Sequence, residues 1–244
     1  MHQSLTTGST DLRFRLLLKR VRAQADLVIY NTADTKARAQ AQMEHWGPLP
    51  EGIVAHLGVS VPQPRPQEIP AGLDLSRPYF VALGTIEPRK GHDLLLDVWQ
   101  DLPDPPGLMI CGARGWNNEA VFQRLDALPQ NGPIRELSGL SDGAIAALLL
   151  GSRGLLFPSR AEGFGLPPAE AAALGVPVVC SDIPALREIL QDNAVYLEET
   201  DRYQWRNKLL SLLRIEIDDR NSGRGTSFVP PDWAQHFNFV LRYT

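Results

Sequence analysis

The stretch SRAEGFGLPPAEAAALGVPVVCSD, residues 159–182, follows a short apolar run, GLLFPS (154–159), and leads through a glycine-rich loop and a helix into a second apolar run, VPVVCSD (176–182). Pro167 and Pro168 suit the first turn of that helix, where a missing N–H costs nothing. The loop Glu162-Gly163-Phe164-Gly165 lets backbone approach a ligand closely. The free N–H groups and dipole of the following helix start favour an anion such as a diphosphate. Two carboxylates, Glu162 on the loop and Glu170 in the first helical turn, flank that position. Carboxylates beside a phosphate site make sense as acceptors of sugar hydroxyls, including the two hydroxyls of a ribose.

Outward from this stretch the same alternation repeats. Apolar runs at 79–85, 107–112, 134–139, 154–159, 176–182 and 194–197 are separated by helical patterns at 92–102, 119–128, 141–152, 167–175 and 184–190. Strands that are apolar throughout and alternate with helices predict an α/β fold, a parallel sheet covered by helices on both faces. Ligands of such sheets lie at the carboxyl ends of the strands. There the segment LGTIEPRKGHDLLLDVW (83–99) ends a strand at Gly84, turns through Thr85, and places Arg89 and Lys90 beside a helix start. Cations at that place can neutralise a leaving diphosphate.

Before the sheet, a basic amphipathic helix is expected at 11–25, a strand at 25–32, a helix at 32–47 capped by Thr32 or Asp34, and a strand at 53–61. Pro62, Pro64, Pro66 and Pro70 make a stiff connector. The expected division is 1–60, a linker at 61–76, the sheet domain at 77–200 and C-terminal helices at 201–244. Within the last piece, 202–215 reads as a helix, 217–230 as a polar loop, and the final helix starts at Pro231 or Asp232.

Composition narrows the classes. The 244 residues are 43% hydrophobic and 21% charged with a net charge of -4, which disfavours non-specific nucleic-acid binding. No apolar run approaches the roughly 20 residues that span a bilayer, and the first 22 residues make a poor signal peptide. A cytoplasmic chain, at most peripheral to a membrane, is the default expectation. Cys111 and Cys180, each ending an apolar run, read as reduced core residues. No D-x-D triplet is present to hold a diphosphate through a metal, and no G-x-G-x-x-G favours a dehydrogenase. His92 opens a helix near the site, where a structural role is the commoner one.

The pattern E-x7-E around a GFG loop, followed by P-x-x-E-A-x-A-x-G-x-P-V, resembles the signature of retaining GT-B glycosyltransferases, most closely glycosyltransferase family 4. The G-T-x-E-P-R-K stretch resembles some members, several of them mannosyltransferases. Other members carry Arg where this chain has Thr85. The resemblance implies a Rossmann-like domain, the C-terminal half of GT-B, with the N-terminal acceptor domain largely absent and residues 1–60 as its remnant. It implies that Glu162 meets the donor sugar, that Glu170 meets the ribose, and that Lys90, with Arg89, meets the diphosphate. Backbone at Gly163, Phe164, Gly165 and Leu166 would hold phosphate and sugar beside Gly84 and Thr85, with Leu137 and Ser138 next to the base. The implied substrate is a nucleotide-diphosphate sugar, GDP-mannose by analogy, with a glycan or lipid-linked acceptor and neither metal nor further cofactor. A separate N-terminal-domain polypeptide or a homodimer would complete the enzyme. A non-catalytic nucleotide-sugar-binding fragment is the alternative.

Overall fold

A computed structural model describes residues 8–214 and 228–243 of the chain. The polar stretch expected as a loop at 217–230 therefore lies, up to residue 227, outside the described residues. The chain divides into two compact units, one of residues 1–59 and 231–244, the other of residues 60–230. The segment 201–244, expected as one set of C-terminal helices, is thus shared between them.

The larger unit is a six-stranded parallel sheet. Its strands are β3 (Tyr79–Leu83), β4 (Gly107–Cys111), β5 (Ile134–Leu137), β6 (Leu155–Phe157), β7 (Val178–Ser181) and β8 (Val195–Leu197), in spatial order β5-β4-β3-β6-β7-β8. Every neighbouring pair is parallel. The connecting helices are α3 (His92–Gln100), α4 (Glu119–Asp126), α5 (Asp142–Gly151), α6 (Leu166–Ala173) and α7 (Pro184–Leu190), followed by α8 (Arg202–Leu213). This order is that of a doubly wound fold. From β3 the chain winds one way through β4 and β5, and from β6 it winds the other way.

Alternate residues of each strand face opposite layers. Phe80, Ala82, Leu108, Ile110, Leu156 and Val179 join one core with Leu95, Trp99, Leu125, Trp205 and Leu209 from α3, α4 and α8. Phe80 meets Trp99 edge to face with centroids 6.2 Å apart, and Trp99 donates its indole N–H to the Pro106 carbonyl at 2.8 Å. On the other face Tyr79 donates to the Leu148 carbonyl of α5 at 2.9 Å. Cys111 and Cys180 are buried free thiols, and burial pushes both up to about 12. The proline-rich connector is not simply extended. Pro66–Glu68 forms a 3₁₀ turn, Arg65 N–H donates to the Gly143 carbonyl at 2.9 Å, and Ser141 donates to Glu68. Ser141 also caps α5, accepting from Ala144 N–H.

In the smaller unit α1 (Gly8–Gln24) precedes β1 (Leu27–Tyr30), α2 (Ala33–Glu44) and β2 (Glu51–Val54), and α9 (Trp233–Val240) completes it. β1 and β2 pair in parallel, and Thr32 caps α2. The expected strand at 53–61 is shorter and begins earlier, because pairing with β1 ends at Val54. Ile53, Ala55 and Val240 form a small core, and Gly58 leaves space for Trp233: a Cβ at residue 58 would lie 2.4 Å from the indole. Asp232 caps α9 through Gln235 N–H. α1 departs from the amphipathic expectation. Its exposed apolar residues Leu12, Phe14, Leu16 and Leu17 are spread around the helix, not gathered in one stripe.

Candidate functional site

A doubly wound sheet opens a crevice where the winding reverses, here between β3 and β6. The two loops leaving those strands are the two singled out by sequence. After β3, Gly84 takes a φ of +139°, which also leaves room for the Lys90 stem: a Cβ there would stand 3.2 Å from Lys90 Cε. Thr85 and Ile86 continue alongside residues 113–115, with Ile86 N–H donating to the Ala113 carbonyl and Gly115 N–H to that of Ile86. A 3₁₀ turn, Pro88–Lys90, then carries both cations and stops at Gly91, whose φ is +67°. Only glycine fits, because a Cβ at residue 91 would lie 2.1 Å from the Pro158 carbonyl oxygen. Pro158 opens the second loop, which ends at Gly165 with φ +89° as the cap residue of α6.

The two loops meet through charge. Glu162 Oε1 accepts from Lys90 Nζ at 2.7 Å and from Arg89 at 2.9 Å. Arg89 reaches further, donating to the Ala161 carbonyl at 2.9 Å and to Glu87 at 2.6 Å. Lys90 Nζ also lies 4.7 Å from the centre of the Phe157 ring. The Lys90 and Glu162 side chains are only 11% and 9% exposed, whereas Arg89 keeps 36%. Two cations therefore face two carboxylates in a partly dry crevice, where pairing is strong and an unpaired charge is costly.

Around this cluster Phe164 is buried as an anchor, Gly163 is half-buried, and Leu166 is exposed at the start of α6. Thr85 is exposed. Leu137 is buried with its carbonyl taken by Gly112 N–H, while Ser138 is exposed. α6 starts at Leu166, so Glu170 falls just beyond the first turn, not within it as the sequence implied. Its carboxyl is pushed up to about 7, first by burial and then by the charge of Asp142 at the start of α5. His92 is buried, and desolvation pushes its imidazole down to about 4, in keeping with a structural role.

Four residues were not singled out: Glu87, the second carboxylate on Arg89; Phe157 beneath Lys90; Asp142 facing Glu170; and Arg160, which ties the loops together. Glu87 and Arg160 lie inside the two quoted motifs but have no distinctive spacing of their own. Among the described residues, no group of three or more His, Cys, Asp or Glu side chains is placed to hold a metal ion. No described helix is long and apolar enough to cross a membrane.

Over 171 residues, 64% of its length, the chain is 37% identical to the serotype-specific mannosyltransferase WbdA of Escherichia coli, covering 21% of that protein. It is 28% identical over 169 residues to the O-antigen chain mannosyltransferase RfbU of Salmonella typhimurium, spanning 68% of this chain and 43% of that one. The chain therefore spans less than half the length of these relatives. Among solved structures, Anabaena HepE in complex with UDP and glucose superposes with a TM-score of 0.75 at 17% identity, over all of this chain and 70% of that one. Sucrose-phosphate synthase from Thermosynechococcus elongatus gives 0.69 at 18% identity, over all of this chain and 63% of that one. Residues 66–225 match the model of the glycosyl transferases group 1, and the chain belongs to that family, with the fold of the C-terminal half of a GT-B glycosyltransferase.

Proposed function

We propose that this chain supplies the donor site of a glycosyltransferase that moves a sugar from a nucleoside diphosphate to a glycan or lipid-linked acceptor with retention of configuration. The observation that carries the reading is the convergence of Lys90, Arg89 and Glu162 at the reversal point of the sheet. The mannosyltransferase relatives make mannose, carried on GDP, the preferred donor sugar. Acceptor binding belongs to a further domain, a separate polypeptide or a second copy.

On this reading the donor diphosphate takes over Lys90 and Arg89, and Glu162 is released to accept a hydroxyl of the transferred sugar. Glu170 accepts the ribose hydroxyls, backbone at 163–166 lines the phosphate and sugar, and Ser138 and Leu137 border the base. The bond from the sugar's C1 to the phosphate oxygen breaks with its electron pair on that oxygen. The acceptor hydroxyl bonds to C1 and its proton passes to the departing diphosphate. Fixed cations stabilise the charge that develops on the leaving oxygen, and such stabilisation acts most strongly in a partly dry site. Incubation of the protein, with an acceptor half supplied, with GDP-mannose and a mannosyl acceptor, followed by NMR of the product, tests the reading. A linkage with the donor's anomeric configuration is expected; an inverted linkage, or none with any donor and acceptor half supplied, contradicts it.

Glu170 adds a pH dependence. Its folded value of about 7 is raised above the ordinary 4.5, so the fold favours the protonated form. That contribution to stability is complete below the unfolded value and is lost as pH rises through about 7. Glu170→Gln should therefore melt higher than the parent at pH 8 and equally at pH 4.5. Ribose hydroxyls donate best to the ionised carboxylate, so nucleotide affinity should rise from pH 6 to pH 8 in the parent and stay flat in Glu170→Gln. Calorimetric titration at the two pH values, with thermal melts, checks both outcomes.

A further inference from the structure

Lys90 and Arg89 stand on a single 3₁₀ turn, Pro88–Lys90, while Glu162 stands on a loop from a different strand. One turn of this kind is weakly held from within. Its closing bond, Gly91 N–H to the Pro88 carbonyl, is 3.4 Å long. A diphosphate must nevertheless find both cations at a fixed spacing, because binding geometry tolerates errors of only about 0.5 Å.

Arg160 supplies the missing connection. Its backbone N–H donates to the Arg89 carbonyl at 2.8 Å. Its guanidinium donates to the Pro88 carbonyl at 2.5 Å and to the Asp93 carboxylate at 2.6 Å. Arg89 returns the connection through its own guanidinium to the Ala161 carbonyl, one residue beyond Arg160. The turn is thus gripped at Pro88 and at Arg89, and the first turn of α3 is gripped at Asp93. The Arg160–Asp93 pair is partly exposed, at 28% and 45%, and an exposed pair adds little stability. Its value lies in register.

We propose that Arg160 is a positioning residue of the donor site, lacing the loop after β6 to the 88–90 turn so that Lys90 and Arg89 are presented at the spacing a diphosphate bridges. This rests on the reading of the crevice as a nucleoside-diphosphate site. The guanidinium of Arg160 is engaged by Pro88 and Asp93, so it acts through the two cations and not on the ligand.

The test is a calorimetric titration of the chain with GDP and with UDP, run on the parent, Arg160→Ala, Arg160→Lys, Lys90→Ala and the double variant Lys90→Ala/Arg160→Ala. Arg160→Ala should weaken binding about tenfold or more, as expected when binding groups lose their placement. Arg160→Lys reaches only one of the two acceptors and should recover part of the loss. Lys90→Ala should cost less in the Arg160→Ala background than in the parent, since residues acting through one another are not additive. Equal affinity of parent and Arg160→Ala, or simple addition of the two penalties, overturns the proposal. If Arg160→Ala fails to fold, Arg160→Lys and Asp93→Ala each remove one guanidinium bond, and unchanged affinity in both overturns it. A folded parent that binds neither nucleotide removes the donor-site reading itself, an outcome distinct from a parent that binds and variants that do not differ.

Discussion

Glu162→Gln should cut sugar transfer about 100-fold while leaving nucleoside diphosphate bound at least as tightly as in the parent. The two effects separate because Glu162 stands in two relations to the cations. Without ligand, one carboxylate oxygen holds both Lys90 and Arg89. An incoming diphosphate must displace it, so part of the cations' attraction is spent before the phosphate gains anything. An uncharged amide keeps the size of the side chain and its Oε1 acceptor while removing that competition. Affinity for GDP or UDP should stay level or tighten by up to about tenfold, some 1.4 kcal/mol. Transfer should fall by about 100-fold, the scale of losing one group that orients the transferred sugar. Titration beside a product assay reads both quantities. Loss of nucleotide affinity in Glu162→Gln would mean that the carboxylate is a structural support for the cations and not their competitor.

Lys90→Ala has the opposite signature. It removes the less exposed of the two cations and leaves Glu162, itself only 9% exposed, with Arg89 alone. Truncating one member of a buried charge pair costs about 2–5 kcal/mol. Nucleoside diphosphate affinity should drop about 100-fold, with transfer falling at least as far. Lys90→Met keeps the stem that lies against Gly84 and should fold better while binding no more tightly. Arg89→Ala should cost less in binding, because Arg89 is more exposed and shared among Ala161, Glu162 and Glu87. Equal affinity for Lys90→Ala and the parent would place the diphosphate elsewhere.

Much of the fold was legible because its local signals agree. Uniformly apolar runs such as YFVALG and GLMICG can only be buried strands when helices separate them. Caps were legible to within a pair: Thr32, offered beside Asp34, and Asp232, offered beside Pro231, each accept a backbone N–H where a helix begins. Both loops of the candidate site announced themselves as glycine-bearing strand ends. What the sequence does not carry is distance across the fold. Lys90 and Glu162 are 72 positions apart, and no pattern says that they join in one pair. Asp142 reads only as a helix start until α5 and α6 bring it towards Glu170. Arg160 has no spacing that singles it out, because the carbonyl it grips, Pro88, belongs to another loop.

The claim that the crevice between β3 and β6 holds a nucleoside diphosphate is tested most directly by calorimetric titration of the purified chain with GDP and UDP, with Lys90→Ala alongside. One saturable site for at least one of the two nucleotides, weakened about 100-fold by Lys90→Ala, is the predicted result. A folded chain that binds neither nucleotide, or binds one with an affinity that Lys90→Ala leaves unchanged, contradicts the account.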